Sequence, residues 1–349
     1  MTVGRKRKRK LIIVAAALAM AVGIILGLGA GAVKIAPSRV AWLLLHPGEA
    51  AKSRELESRI VWQMRLPRVL LACMTGGGLS IAGAIFQALF RNPMADPYII
   101  GASSGAALGA VLVILFSADI GAAGGILRGV RLVPVAAFIG AIAAVMLSYA
   151  LARVRNSVQL FTLLLSGVAV NAFFSAMVTM VIYFAGKRLH EMIAWMMMGG
   201  FGAASWTDTA LLTPYIVIGA LLAYSRSRDL NALSFGEEIA HVSGVDVRRV
   251  RLIVLAIASV LTAASVAAGG LIGFVGLVVP HLLRIAGGAD HRYLIPASFF
   301  GGAAFLVIAD TIGRTVIAPT ELPVGLITAL FGGPFFAWIL RKARLEGQV

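Results

Sequence analysis

Side chains able to do chemistry are few in this sequence and widely scattered. Of the five histidines, His46 and His291 are loop residues without identifiable partners, His190 lies in an outer loop, His241 in the long inner loop and His281 in the run VVPH, where a structural role is expected. Cys73 is the only cysteine, so no intrachain disulfide or cysteine-based metal site can form. No G-x-x-x-x-G-K-[ST] run occurs: Lys187 follows Gly186 but precedes Arg188, and Lys52 follows Ala51. The chain therefore has no P-loop with which to hydrolyse ATP, and no catalytic, cofactor or metal site is expected in it. Nearly every acid stands in a loop or at the end of an apolar run, with Asp310 the deepest. Proton or sodium coupling needs ionisable groups near mid-membrane, so this pattern argues against it.

The elements that position these residues are set by composition. Hydrophobic residues make up 60% of the 349, charged residues 13%, and mean hydropathy is +0.93. Such a chain has lipid as its main solvent. A bilayer core of about 30 Å takes roughly 20 apolar residues per helix. Without period-2 alternation, the chain must cross as helices rather than as a barrel. Ten spans are predicted, near 11–33, 69–90, 99–116, 132–151, 159–184, 207–224, 250–270, 272–286, 294–312 and 323–340. The expected fold is an all-α polytopic bundle. It comprises a basic segment 1–10, one transmembrane domain over 11–342 with an inner loop at about 226–249, and a tail over 343–349.

The net charge of +16 does not point to nucleic acid, because the basic residues flank apolar runs instead of forming one soluble face. The opening GRKRKRK and the apolar run behind it resemble a signal peptide with small residues at Gly29 to Ala32. The run is long for that purpose, so an uncleaved first helix is expected. Alternate loops carry 19 Lys and Arg on the side of the N-terminus and 12 on the other, the 31 of the chain, which places both termini in the cytoplasm. Seven of the twelve lie in the outer loop from Lys34 to Arg68. Either an acidic partner outside explains this excess, or a loop so long crosses regardless of its charge.

Gly101, Gly105 and Gly109 fall four apart, and Gly76, Gly77, Gly78 and Gly83 crowd the second span, as close helix packing requires. The third span is expected at the centre of the bundle. In the inner loop, Ser234 and Glu237 have capping-box spacing, and Gly244 is a stop signal. Two short cytoplasmic helices fit there, either as a docking site or as a solvated connector.

Several motifs together resemble one family. They are RLPR at Arg65 to Arg68, QALFRNPMADPYIIGASSGA from Gln87, WMMMGGFG from Trp195, SFGEEIAHVSGVDV from Ser234, GFVGLVVPHLLR from Gly273, ADHRYLIPAS from Ala289 and ELPVGLITALFGGPFF from Glu321. In order and spacing they are similar to the permease subunits of ABC importers for iron chelates, haem and cobalamin. The likeness runs from about Val61 to Lys342, and the first 60 residues share only hydropathy. It implies ten helices per chain, a homodimer with the pathway on its two-fold axis, two ATPase subunits that bind ATP and Mg, and an external substrate-binding protein.

The resemblance also implies site residues. Ser234, Phe235, Gly236, Glu237, Glu238, Ile239, Ala240, His241, Val242, Ser243, Gly244 and Val245 would dock the ATPase. Arg65, Arg68 and Arg314 would grip acidic residues of the binding protein, unless they only anchor helix ends. Leu160, Phe161, Ser166, Asn171, Ser175 and Thr179 would line the path, with Asn92 and Met94 at an inner gate. Asn171, Ser175 and Thr179 share a helical face, which suits either a path or helix-to-helix hydrogen bonds. Where cobalamin permeases resemble one another in small hydroxyl residues, this chain has Leu160 and Phe161. Haem or an iron chelate is the cargo this departure favours. His190 would then lie in an outer loop within reach of haem iron, and Trp195 to Met198 would pack a re-entrant outer helix.

Overall fold

The computed structural model describes residues 3–48, 56–119, 132–154, 157–184 and 197–345. Trp195, Met196 and His190 lie outside the described residues. Ten helices match the ten predicted spans: α1 (Val3–Gly29), α3 (Leu66–Leu89), α4 (Ala102–Asp119), α5 (Leu132–Ala152), α6 (Leu160–Phe184), α7 (Trp206–Ser225), α10 (Val247–Gly269), α11 (Val275–Gly287), α12 (His291–Thr315) and α13 (Val324–Leu345). Seven stretches are long and apolar enough to cross a membrane, and the apolar parts of α4, α11 and α13 are shorter. Outside the bundle lie α2 (Pro37–Leu45) on the outer side, and α8 (Ser227–Phe235) and α9 (Glu237–Val242) on the cytoplasmic side. A helical turn Leu56–Arg59 and a wider π-turn Ile60–Arg65 lead into α3. A two-residue antiparallel pair, β1 (Arg153–Val154) and β2 (Ser157–Val158), joins α5 to α6.

The basic segment at the N-terminus is not separate from the bundle. From Val3 it is the first part of α1, and Arg9 reaches the α11–α12 turn, bonding Gly287 O at 2.9 Å and Asp290 at 2.7 Å.

Nearly every residue of α3 is buried, with α12, α10, α7 and α11 packed around it. The second span is thus the centre of the bundle. The third, α4, is buried along most of its length but sits beside α5 and α6. Lipid is as apolar as leucine, so close backbone contact drives this packing. At Gly83 a β-carbon would collide with the backbone carbonyl of Gly276 in α11, and at Gly105 with that of Gly140 in α5. Gly101 departs from the expected packing stripe. Its φ of +95° places it in the bend before α4, where glycine is favoured for its backbone freedom.

The helix α11 has only 13 residues, about 20 Å, and the chain reaches it from α10 through the non-helical segment 270–274. Non-helical backbone at depth persists only where protein partners satisfy it. Here the Tyr98 hydroxyl donates to Ile272 O at 3.0 Å, and Gly200 N–H donates to Gly269 O at 2.8 Å.

Candidate permease surfaces and path

On the cytoplasmic side, α8 buries Ser227, Leu230 and Leu233 against α3 and α12, and α9 buries Ala240. The opposite side of the pair exposes Phe235 by 74%, Ile239 by 54% and Val242 by 88%. Together they form an exposed apolar patch on a polar connecting segment. Glu237, Glu238, His241, Ser243 and Gly244 are exposed around them, Ser234 and Val245 are half-buried, and Gly236 is buried.

The expected capping box does not form. Helix α8 runs on to Phe235, so Ser234 is still helical and its hydroxyl donates to Leu230 O at 2.8 Å, while Glu237 pairs with Arg251. Gly236 caps α9 instead, at a φ of +120°. Gly244 is the expected stop. At φ +81° it lets its own N–H reach His241 O, and that of Val245 reach Ala240 O.

At the inner end of α3, Arg91 turns the chain at φ +49°, and its guanidinium lies beside Gly236. The exposed Asn92 accepts the Met94 N–H at 2.9 Å, a side-chain turn that fixes the loop carrying half-buried Met94. From this loop Tyr98 runs inward to Ile272, and its carbonyl accepts Asn171 Nδ2 at 3.1 Å. Asn171 Oδ1 in turn accepts the Ser104 hydroxyl at 2.7 Å. Sequence reasoning missed Tyr98 and Ser104. Their only signal is membership of the Gln87 to Ala106 motif.

For Asn171 these bonds are the helix-to-helix alternative of the polar stripe on α6. Asn171 is half-buried, with its carboxamide bonded to Tyr98 O, which also accepts the Gly101 N–H, and to the Ser104 hydroxyl, and Ser166 is buried. Ser175 and Thr179 remain on the open face, one turn apart, with the Thr179 hydroxyl bonded to Ser175 O. Phe161 is 71% exposed, and Leu165, Val168, Phe173 and Met180 are exposed with it, whereas Leu160 is half-buried.

The three outer arginines are buried and bonded within the chain. Arg65 donates to Leu28 O and Val33 O, and Arg314 donates to Gly27 O and Ala30 O. Both therefore satisfy carbonyls at the C-terminal end of α1, where a helix leaves its last acceptors unpaired and favours positive charge. Arg68 is a fork between two acids, reaching Asp310 at 2.8 Å and Glu321 at 2.9 Å, and Arg314 Nε lies 3.1 Å from Asp310. Asp310 is thus a buried ion-pair partner. Glu321 is half-exposed, and beside it a cavity of about 360 Å³ opens among Arg68, Gly199 to Gly202 and Gly269.

Seven helices able to cross a membrane and three shorter apolar ones, with an exposed apolar pair beside them, have the make-up of a polytopic transport subunit. The chain belongs to the FecCD transport family, whose sequence profile matches residues 18–342, so the family pattern reaches well into α1. It is 43% identical to the hemin transport permease HmuU of Yersinia pestis over 81% of this chain and 84% of that one. It is 42% identical to the cobalamin import permease BtuC of Halobacterium salinarum over 90% and 83%. A solved structure described as an inward-facing conformation of a metal-chelate type ABC transporter matches at a TM-score of 0.80. It is 28% identical, and the match covers 96% of this chain and 99% of that one. The protein is therefore a multi-pass transport subunit of the cytoplasmic membrane, and a separate ATPase hydrolyses the ATP. An ion-coupled carrier acting alone is set aside.

Proposed function

We propose that this permease moves an iron chelate, haem or a ferric siderophore, inward from an external binding protein, as half of a homodimer driven by two ATPase subunits. Relatives of nearly equal identity carry hemin and cobalamin in their names, so overall similarity does not choose the cargo. The open face of α6 supports the choice. It presents Phe161, Leu165, Val168, Phe173 and Met180 around the hydroxyls of Ser175, Thr179 and Tyr183, a mainly apolar lining suited to a broad apolar ligand. Asn92 and Met94, with Leu160 and Phe161, form the inner gate in this reading. The apolar patch of α8 and α9 receives the ATPase, which holds the ATP and Mg.

At the outer face, Arg68 is the arginine best placed to meet a binding protein. Its contact with half-exposed Glu321 can be exchanged for a partner's carboxylate, while Arg65 and Arg314 stand behind it as fixed positive charge.

The test is uptake into right-side-out vesicles by the permease reconstituted with its ATPase and binding protein, with ATP supplied inside. Labelled haem or a ferric siderophore is expected to accumulate. Accumulation of labelled cobalamin instead would overturn the cargo.

A further inference from the structure

One polar cluster at the cytoplasmic face takes no part in the surfaces described so far. Asn231 lies one turn before Phe235 in α8, and its side chain meets the turn between α11 and α12. Its Nδ2 donates to Asp290 Oδ1 at 2.9 Å, and its Oδ1 accepts the backbone N–H of His291 at 2.8 Å. A backbone N–H can only donate, so the orientation of the amide is settled. The 2.8 Å contact from His291 Nδ1 to the same oxygen must then carry its hydrogen on the ring. All the hydrogen bonds of this carboxamide thus fall on the first two residues at the start of α12. Asp290 is the N-cap of that helix, accepting the Arg292 N–H at 3.1 Å, and it also holds Arg9 of α1.

The other end of α12 carries Asp310 and Arg314, tied to Arg68 of α3 and to the end of α1. A helix of 25 residues, about 37 Å long, therefore joins the docking pair on one face to the ion cluster on the other. Leu230 and Leu233 also pack α8 into the core, but without the directionality of a hydrogen bond. Among the described residues, the Asn231 side chain supplies directional bonds from α8 to the start of α12.

We propose that Asn231 is a positioning residue that fastens the docking helices to the start of α12, so that movement of the bound ATPase is passed along α12 to the outer cluster around Asp310. The inference rests on the reading of α8 and α9 as the ATPase dock. The amide chemistry is specific. Alanine removes the tie, and aspartate sets a negative charge against Asp290. The swap Asn231→Asp with Asp290→Asn keeps one donor between the two side chains and leaves the His291 donors with an acceptor.

The experiment places an environment-sensitive fluorophore on Val316→Cys, which is 62% exposed just beyond the outer end of α12; the chain's own Cys73 is buried. The labelled permease is reconstituted with its ATPase, and emission is read before and after ATP. The unmodified tie is expected to give an ATP-driven change. With Asn231→Ala the ATPase should still copurify and hydrolyse ATP, the melting temperature should hold, and the emission change should fall about tenfold or more. The swap should restore it. An undiminished change with Asn231→Ala overturns the proposal, as does absence of any change in the protein that retains Asn231. Loss of ATPase binding or of folding with Asn231→Ala, unrescued by the swap, overturns it in favour of a purely structural role. Failure of the unaltered chain to copurify with the ATPase instead removes the docking reading itself.

Discussion

Asp310 is 1% exposed and negative, and two arginines are committed to it. Removing one partner of a buried pair costs far more than the pair itself contributes, because a charge is left without compensation. Arg68→Ala is therefore expected to cost about 3–5 kcal/mol, read as a clear fall in the melting temperature in detergent. Alanine scanning of Arg65, Arg68 and Arg314 would thus mix folding with docking. Glu321 separates the two effects, since its side chain is 42% exposed and competes for Arg68. Glu321→Ala should fold normally and bind the binding protein more tightly in a surface-binding assay, and weaker binding would sink the exchange. At the cytoplasmic end, burial works to raise the Asp290 carboxyl. The bonds from Asn231 and the Arg292 N–H and the charge of Arg9 outweigh it and hold the group below the usual range. The stability this carboxylate contributes is whole above about pH 4 and is lost as pH falls through its lower folded value. Melting curves of Asp290→Asn should lack that acid-side loss.

Packing at the level of elements is decided by backbone proximity. Gly83→Ala would push α3 from α11, because the new methyl collides with the main chain at Gly276, which cannot rotate away. Size-exclusion traces of the variant are expected to show aggregated or absent protein. Gly333 in α13 has nothing within 4 Å of a β-carbon, so Gly333→Ala should be neutral or stabilising by up to about 1 kcal/mol. For the outward side of α8 and α9 the opposite logic holds, since Phe235, Ile239 and Val242 are exposed and lie outside the buried core. Phe235→Asp with Val242→Asp should leave the melting temperature unchanged and abolish copurification of the ATPase; retained copurification would mean the dock lies elsewhere.

The whole molecule was legible in outline because span length and hydropathy are properties of consecutive residues. Ten spans, two cytoplasmic helices and the stop at Gly244 follow from local sequence, and so does the family, whose motifs are contiguous. The capping box at Ser234 and Glu237 has the right spacing, yet it does not form. Whether α8 ends before or after Ser234 depends on packing against α3 and α12. The bonding of Asn171, Arg65 and Arg314 was equally hidden, since each answers a carbonyl far away in the chain: Tyr98 for the first, the end of α1 for the other two. Local sequence determined which segments enter the membrane, because transfer free energy adds residue by residue along the chain. Only the tertiary structure decided where the polar side chains go, because a buried donor must take an acceptor near it in space, and nearness in space is not written in sequence order.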